Sequence, residues 1–362
     1  MREAIFDGNL EVQIHDIPIP TPGPGQILIK TVVSGTNPKD WKVPKIWASN
    51  LPPLNHGDDI AGFVQGVGEG VLGFKEGDRV AAFHEMNTPH GSYAEYSIAW
   101  AQSTFLIPER TSFEGELLHV ISPNAELMLT SHAPEAATIP LTAMTAALAL
   151  YQKLDLPLPW NPAKISLPLL VNGGATAVGA FAIKLATLSN IHPIIAVAGS
   201  GSPYVETLVN KEKGDVVIDY RKGEHHVLEQ ICLAAGGQPI INALDGVSEE
   251  QTVRIVAKAL APGGKISVFL QTSPSDIKAE ILYTMVGTVH ASNETPGSPL
   301  GDKEFGSVFY RFFGLGLKEG WFNGHPYEVL PEGLASLEKA LKDLEAGKVS
   351  ARKYLLRIED TK

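Results

Sequence analysis

Cysteine is nearly absent from this chain. Cys232 is the single one among 362 residues, which excludes an intrachain disulfide and any metal cluster built from several thiolates. Positive charge is scarce as well. Lys and Arg number 29 against 40 Asp and Glu, for a formal net charge of −11. No basic run occurs, so neither nucleic acid nor an anionic membrane surface is expected as a partner. Long hydrophobic runs are missing too: the most apolar window, Leu141 to Tyr151, is only about half the length of a membrane span. Met1 to Asp16 alternates apolar and charged residues as a strand does, without the apolar block of a secretory leader. A soluble cytoplasmic protein is the expectation.

What is present is enough apolar sequence for a sizeable core. Hydrophobic residues make up 44 % and charged residues 19 %, an ordinary globular balance, and the length suits two domains. The most informative stretch is Leu169 to Ala180. It reads as a buried strand ending at Asn172, a tight turn at Gly173-Gly174-Ala175-Thr176, and a helix beginning at Ala177-Val178. Such a turn points backbone N–H groups and the positive end of a helix dipole at one spot, where a dinucleotide pyrophosphate fits. Pro193 to Ala198 supplies a second apolar strand after a helix over 177–188, completing a βαβ unit.

Texture divides the chain. Up to about residue 110 it consists of short alternating runs separated by glycine turns, among them Ile27–Val33, Ile60–Val67 and Arg79–Phe83. This predicts a compact β module, a partly open barrel. After Pro140, helices alternate with strands expected at 166–171, 194–198, 215–218, 240–244 and 265–270, a doubly wound parallel sheet. Leu334, Leu337, Leu341 and Leu344 predict an amphipathic helix over 330–346. Lys353 to Ile358 reads as a last strand that returns to the first module. The expected division is therefore a β-barrel domain over 1–143, joined by 288–362, and a dinucleotide-binding domain over 144–287.

Several segments stand in an order that carries a resemblance. They are Ser34 to Lys42, Gly57 to Gly62, Phe74 to Val80, Gly91 to Tyr96 and the Gly173 turn. Together they resemble the medium-chain dehydrogenase/reductase superfamily, in which a GroES-like barrel precedes a Rossmann domain. Within it the chain is most similar to the zinc-free quinone oxidoreductase branch. Thr36 to Lys42, Asp219-Tyr220-Arg221 and Leu344 to Lys353 are most similar to the trans-acting enoyl reductases of fungal polyketide biosynthesis.

The resemblance implies that no catalytic metal is held. Zinc-dependent relatives place a cysteine where this chain has Asn37, and a His-Glu pair where it has Asp58-Asp59. His56, Asp58 and Asp59 are the ligands one could propose; the favoured alternative is that the aspartates cap turns or make local hydrogen bonds. His84 and His90 read as exposed loop residues, and His225-His226 as a surface turn.

NADPH is the expected cofactor. The second strand ends Ala198-Gly199-Ser200-Gly201-Ser202, without the carboxylate that usually binds a ribose 2′-hydroxyl in NAD sites. Ser200 and Ser202 are candidates to meet a 2′-phosphate, and Tyr220 matches the tyrosine that relatives place against it or against adenine. Thr145 matches a family threonine facing the cofactor. Leu270 and Gln271, read as the end of the last sheet strand, are assigned to the nicotinamide, Asn37 and Lys353 to further cofactor contact, and Gly287 and Thr288 to the substrate side.

The resemblance implies hydride transfer to the β-carbon of an α,β-unsaturated carbonyl, an enoyl thioester above all. Lys42 falls on the Asn-Pro-x-Asp-x-Lys pattern of the enoyl reductases and is the candidate for electrostatic help or proton delivery; the alternative is a solvated lysine at a helix start. Asp40 is the candidate to orient Lys42 or a cofactor hydroxyl. A polyketide synthase is the implied partner, and a monomer or a homodimer the implied state, since the sheet edge at 265–270 pairs in dimeric relatives. The alternatives are a reductase of free quinones or enones and an idle NADPH-binding interaction protein. Gly115 to Pro134 interrupts the family pattern, as a lid or partner-docking loop or as a short unspliced intron read through in frame.

Overall fold

The computed structural model describes residues 1–47, 52–108, 136–291 and 301–362; the Gly115 to Pro134 segment lies outside them. In chain order the elements are β1 (Arg2–Ile5), β2 (Gln13–Asp16), β3 (Gln26–Gly35), α1 (Pro38–Lys42), β4 (Asp59–Val67), β5 (Arg79–Phe83), β6 (Tyr96–Trp100), β7 (Thr104–Leu106), α2 (Pro140–Ala147), β8 (Leu169–Asn172), α3 (Ala177–Leu188), β9 (Ile194–Ala198), α4 (Ser202–Val205), β10 (Val216–Asp219), α5 (Glu224–Ala235), β11 (Asn242–Asp245), α6 (Glu250–Ala259), β12 (Lys265–Val268), β13 (Glu280–Tyr283), α7 (Asp302–Glu319), β14 (Tyr327–Leu330), α8 (Leu337–Glu345) and β15 (Lys353–Arg357). The chain divides into two compact units: Met1–Leu141 with Val289–Ser292 and Lys303–Lys362, and Thr142–Thr288 with Asn293–Asp302.

The first unit is built around β3. This long strand pairs with β4 along one edge. Its other edge changes partner, taking β6 at Gln26–Lys30 and β15 at Val33–Gly35. Register shifts at Leu28/Ile29 and Thr31/Val33 accompany the change, as bulges do where a sheet bends. The sheet runs β14-β15-β3-β4-β5-β7. Its interior holds Ile27, Ile29, Ile60, Val64, Val80 and Ala82, the inward set that the alternating sequence implies. The last strand does return here, joining β3 antiparallel with Leu355 opposite Gly35.

The helix expected over 330–346 is shorter. Leu330 belongs to β14, a single helical turn covers Gly333–Ser336, and α8 begins at Leu337. Pro331 and the left-handed backbone of Glu332 (φ 66°) separate strand from helix. Leu334, Leu337 and Leu341 are buried with Ala4, Phe6 and Tyr93, and Trp41 packs against this second cluster.

The second unit is a six-stranded sheet in the order β10-β9-β8-β11-β12-β13, with every pair parallel. Five of its strands lie close to the expected positions. The sixth, β13, was not expected: its four residues, Glu-Ile-Leu-Tyr, are at most half-buried and carry too little apolar sequence to announce an edge strand. The 265–270 segment is therefore not the sheet edge, and β12 ends at Val268. His225 and His226 open α5 rather than a turn.

β8 is the switch point, with β9 on one side and β11 on the other. Ligands of open α/β sheets bind at the carboxyl end of such a strand, where the Gly173 turn lies. Close approach of α3 to that turn demands glycine at 179, because a Cβ there would sit inside contact distance of the Gly173 carbonyl oxygen. Gly179→Ala is expected to lower stability by about 1–3 kcal/mol through overpacking against backbone that cannot yield. Urea unfolding of the variant checks this, and an unchanged midpoint would refute the packing argument.

Candidate functional site

The first unit gathers a buried polar cluster at the start of α1. Asn37, the residue capping α1, is 1 % exposed. Its backbone N–H donates to Asp40 Oδ2 at 2.6 Å, and its side-chain Nδ2 donates to Asp59 Oδ2 at 2.8 Å. The Tyr93 hydroxyl also donates to Asp40 Oδ2, at 2.6 Å. Lys39 Nζ lies 3.1 Å from Asp40 Oδ1, pairs with Asp58 Oδ2 and donates to the His56 carbonyl. Asp59 accepts the Leu141 N–H at 2.7 Å through Oδ1 and pairs through Oδ2 with Lys353.

Three carboxyl groups thus face two ammonium groups out of water: Asp40, Asp58 and Asp59 are each 0 % exposed, and the Lys39 and Lys353 side chains are 11 % and 4 % exposed. One carboxyl is in excess, and the excess bears on Asp58. Burial, with Asp40 and Asp59 nearby, pushes its pKa up to about 7 against the pull of Lys39. Burial also raises Asp40, and it raises the Tyr93 hydroxyl well above its usual range, with Asp40 adding to that. Burial lowers His56 to about 3, with Lys39 assisting, so its ring is neutral.

The second unit presents the glycine turn. Gly173 adopts φ +74°, a conformation favouring glycine. Thr176 caps α3: its hydroxyl donates to the Gly173 carbonyl at 2.8 Å and accepts from Gly179 N at 3.0 Å. Ala177 and Val178, in the first helical turn, have N–H groups without intrahelical acceptors. Ala175 to Val178 are half-buried, open enough for a ligand to reach. Beside the turn, Asn172 Nδ2 donates to Asp245 Oδ1 at 2.7 Å and Gly246 N to the Asn172 carbonyl at 2.8 Å, joining the ends of β8 and β11.

At the end of β9, a Cβ on Gly199 would come 2.5 Å from the Tyr220 ring, so the ring covers that glycine closely. Tyr220 is 58 % exposed, and the Ser202 hydroxyl donates to the Gly199 carbonyl at 2.8 Å. These two features, a glycine cradle at a helix start and an exposed aromatic over a glycine, fit a dinucleotide.

The structure brings Asn37, Asp40 and Lys353 together in the first unit, and Gly173 to Val178, Ser200, Ser202 and Tyr220 at strand ends in the second. Leu270 and Gln271 do not end a strand; they lie in the loop after β12, which Phe269 N and the Thr272 hydroxyl tie to Ser248. Thr145 is buried in α2, and Gly287 and Thr288 fall in a short helical turn, Val286–His290. Lys42 is half-buried, with Nζ 5.6 Å from the centroid of the Trp41 ring. Asp40 is aimed at Lys39, Tyr93 and the Asn37 backbone.

The bonds of Asp59 are not local, since they reach residues 22, 82 and 294 positions away. Lys39 and Tyr93 are the members sequence reasoning missed. Their signal was Lys39 standing inside the Asn37–Lys42 pattern, with no indication of its partner Asp58. His84 is buried, not exposed, and its Nδ1 is 2.7 Å from the Ile98 carbonyl. Among the described residues no group of His, Cys, Asp and Glu comes together to hold a metal ion, and no helix is long and apolar enough to cross a membrane.

Residues 23–109 match the alcohol dehydrogenase GroES-like domain family. With a parallel dinucleotide-type sheet following it, the chain is an oxidoreductase of the medium-chain dehydrogenase/reductase superfamily. The fold is shared with CurK enoyl reductase (TM-score 0.75, 17 % identity, 98 % of each chain) and with mycobacterial Rv1454c complexed with NADPH (TM-score 0.71, 21 % identity, 99 % of this chain and 100 % of that one). A curated relative, the trans-enoyl reductase fsr4 of Gibberella fujikuroi, is 43 % identical over 91 % of each chain. The chain belongs to the trans-enoyl reductase family.

Two outcomes follow from the buried cluster. Asp58 ionises near about 4 when unfolded but near about 7 when folded. The native state therefore holds the extra proton between those values. Its stabilising contribution is complete below about pH 4 and is lost as the pH rises through about 7. Asp58→Asn is expected to gain stability relative to the wild type across that window, read from urea midpoints at several pH values; parallel curves would contradict the assignment. Lys353→Met leaves Asp59 buried without its ammonium partner and is expected to cost about 3–5 kcal/mol, with Asp59→Asn in the same chain restoring most of it. A single Lys353→Met variant as stable as the wild type would show the pair to be dispensable.

Proposed function

We propose that the protein is an NADPH-dependent enoyl reductase that delivers hydride to the β-carbon of an α,β-unsaturated thioester, acting in trans with a polyketide synthase. The observation that carries this reading is the 43 % identity, along nearly the whole length, with a trans-enoyl reductase. In this reading Ala175 to Val178 bind the pyrophosphate through backbone N–H groups and the helix dipole. Ser200, Ser202 and Tyr220 take the 2′-phosphate and adenine end. Thr145, Leu270 and Gln271 border the nicotinamide, and Gly287 and Thr288 the substrate. Asn37 is held by Asp59, itself paired with Lys353, so Lys353 acts on the site by fixing Asn37.

When bound, NADPH supplies the hydride. Its arrival at the β-carbon shifts the double-bond electrons toward the carbonyl oxygen, and the resulting enolate needs a positive or hydrogen-bonding partner. Lys42 Nζ supplies that charge and gives a proton to the α-carbon, regaining it from water. The Lys39, Asp40 and Tyr93 contacts hold α1, and with it Lys42, in place.

NADPH oxidation with a panel of enoyl thioesters, free enones and quinones tests the reading. Turnover is expected with thioesters, and Lys42→Ala is expected to lower it by on the order of 10²-fold while dinucleotide affinity stays near the wild-type value. Turnover confined to quinones or free enones would favour a reductase of free small molecules, and a fully active Lys42→Ala variant would remove Lys42 from the chemistry.

A further inference from the structure

The end of β9 carries no carboxylate, but the fold brings one beside it. Asp219, the last residue of β10, is in register with Ala198, the last residue of β9. The next residue, Tyr220, covers Gly199. Asp219 and Arg221 therefore stand at the same sheet end as the 199–202 turn, where the dinucleotide reading puts the adenosine ribose. A bare carboxylate there would repel a 2′-phosphate and would suit a 2′-hydroxyl instead.

Arg221 closes that carboxylate off. Its Nε lies 2.9 Å from Asp219 Oδ1 and 3.1 Å from Oδ2, its Nη2 2.6 Å from Oδ2, and its backbone N–H donates to Oδ1 at 3.0 Å. Both carboxylate oxygens are engaged by one guanidinium fork. The hydrogen bonds and charge of Arg221, with the charge of Lys222 adding to them, hold the Asp219 carboxyl down at about 2, so it stays ionised and the guanidinium is the counter-charge bonded to it. The side chains remain 55 % and 24 % exposed, and an exposed pair two residues apart adds little to stability. Its consequence is local: it sets the net charge at the mouth of the 199–202 turn.

We propose that the Asp219–Arg221 pair sets cofactor selectivity, with Arg221 neutralising Asp219 so that a 2′-phosphate can settle over Gly199 to Ser202. Arg221 is thus a positioning residue that acts through Asp219. The inference rests on the NADPH reading, and the two can fail separately.

Calorimetric titration with 2′,5′-ADP and with 5′-AMP, which lacks the 2′-phosphate, reads the effect without catalysis. The wild type is expected to prefer 2′,5′-ADP; equal affinities would overturn the NADPH reading itself. Arg221→Met is expected to weaken 2′,5′-ADP on the order of 10- to 100-fold through the uncovered like charge, with 5′-AMP unchanged and the thermal midpoint unmoved. Adding Asp219→Asn to that variant is expected to recover most of the lost affinity. If Arg221→Met binds 2′,5′-ADP like the wild type, the inference falls. It falls equally if the double variant stays as weak as the single one, because Arg221 would then be a direct phosphate ligand and not a shield for Asp219.

Discussion

A carboxyl group cannot be buried without partners for its oxygens, and Asp59 imposes that condition on the first unit. It lies at the start of β4, fully withdrawn from water, and three distant segments satisfy it: the Asn37 side chain, the Leu141 backbone and the Lys353 ammonium. The cap of α1, the beginning of α2 and the last strand are thereby fixed to one point. The same demand repeats one residue earlier, where Asp58 meets Lys39. Lys39 then meets Asp40, to which Tyr93 adds a hydrogen bond. A hydrophobic core tolerates slippage of a side chain by a fraction of an ångström. A chain of charge-assisted hydrogen bonds does not, because each unmet group carries a full desolvation penalty. That is a physical reason for placing such a network beneath a short helix whose last residue, Lys42, the proposed mechanism requires to be held accurately.

The second unit relies on a different constraint, the absence of side-chain atoms. Gly173 turns the chain and Gly179 lets α3 approach the turn, while Gly199 accepts the Tyr220 ring. These positions work by what they exclude: a single Cβ would occupy space that backbone or ring already fills. The first unit fixes groups by charge and the second by close approach.

Much of this was legible in the sequence. Alternation in the first hundred residues gave the barrel strands, and the Leu169 to Ala198 pattern gave the βαβ unit, because period and glycine placement are local properties. Legibility stopped where partners are distant. The pattern Asn37 to Lys42 drew attention to α1, but nothing in it says that Lys39 turns to Asp58 or that Asp59 gathers Lys353 from 294 residues away. β13 escaped because an edge strand needs little apolar sequence, and Leu270 and Gln271 were read as strand because apolar residues continue past Val268. The end of β9 carries no carboxylate, yet Asp219 stands on the neighbouring strand end, and only the register shows it.

The proposed reaction is hydride delivery to the β-carbon of a conjugated thioester. Its most direct test is isotopic: NADPH deuterated at the transferring C4 position is supplied with an enoyl thioester in ordinary water, and the product is examined by mass spectrometry and NMR. One deuterium at the β-carbon and an ordinary hydrogen at the α-carbon are expected. Deuterium at the carbonyl carbon, or a product carrying no label while NADPH is consumed, would contradict it.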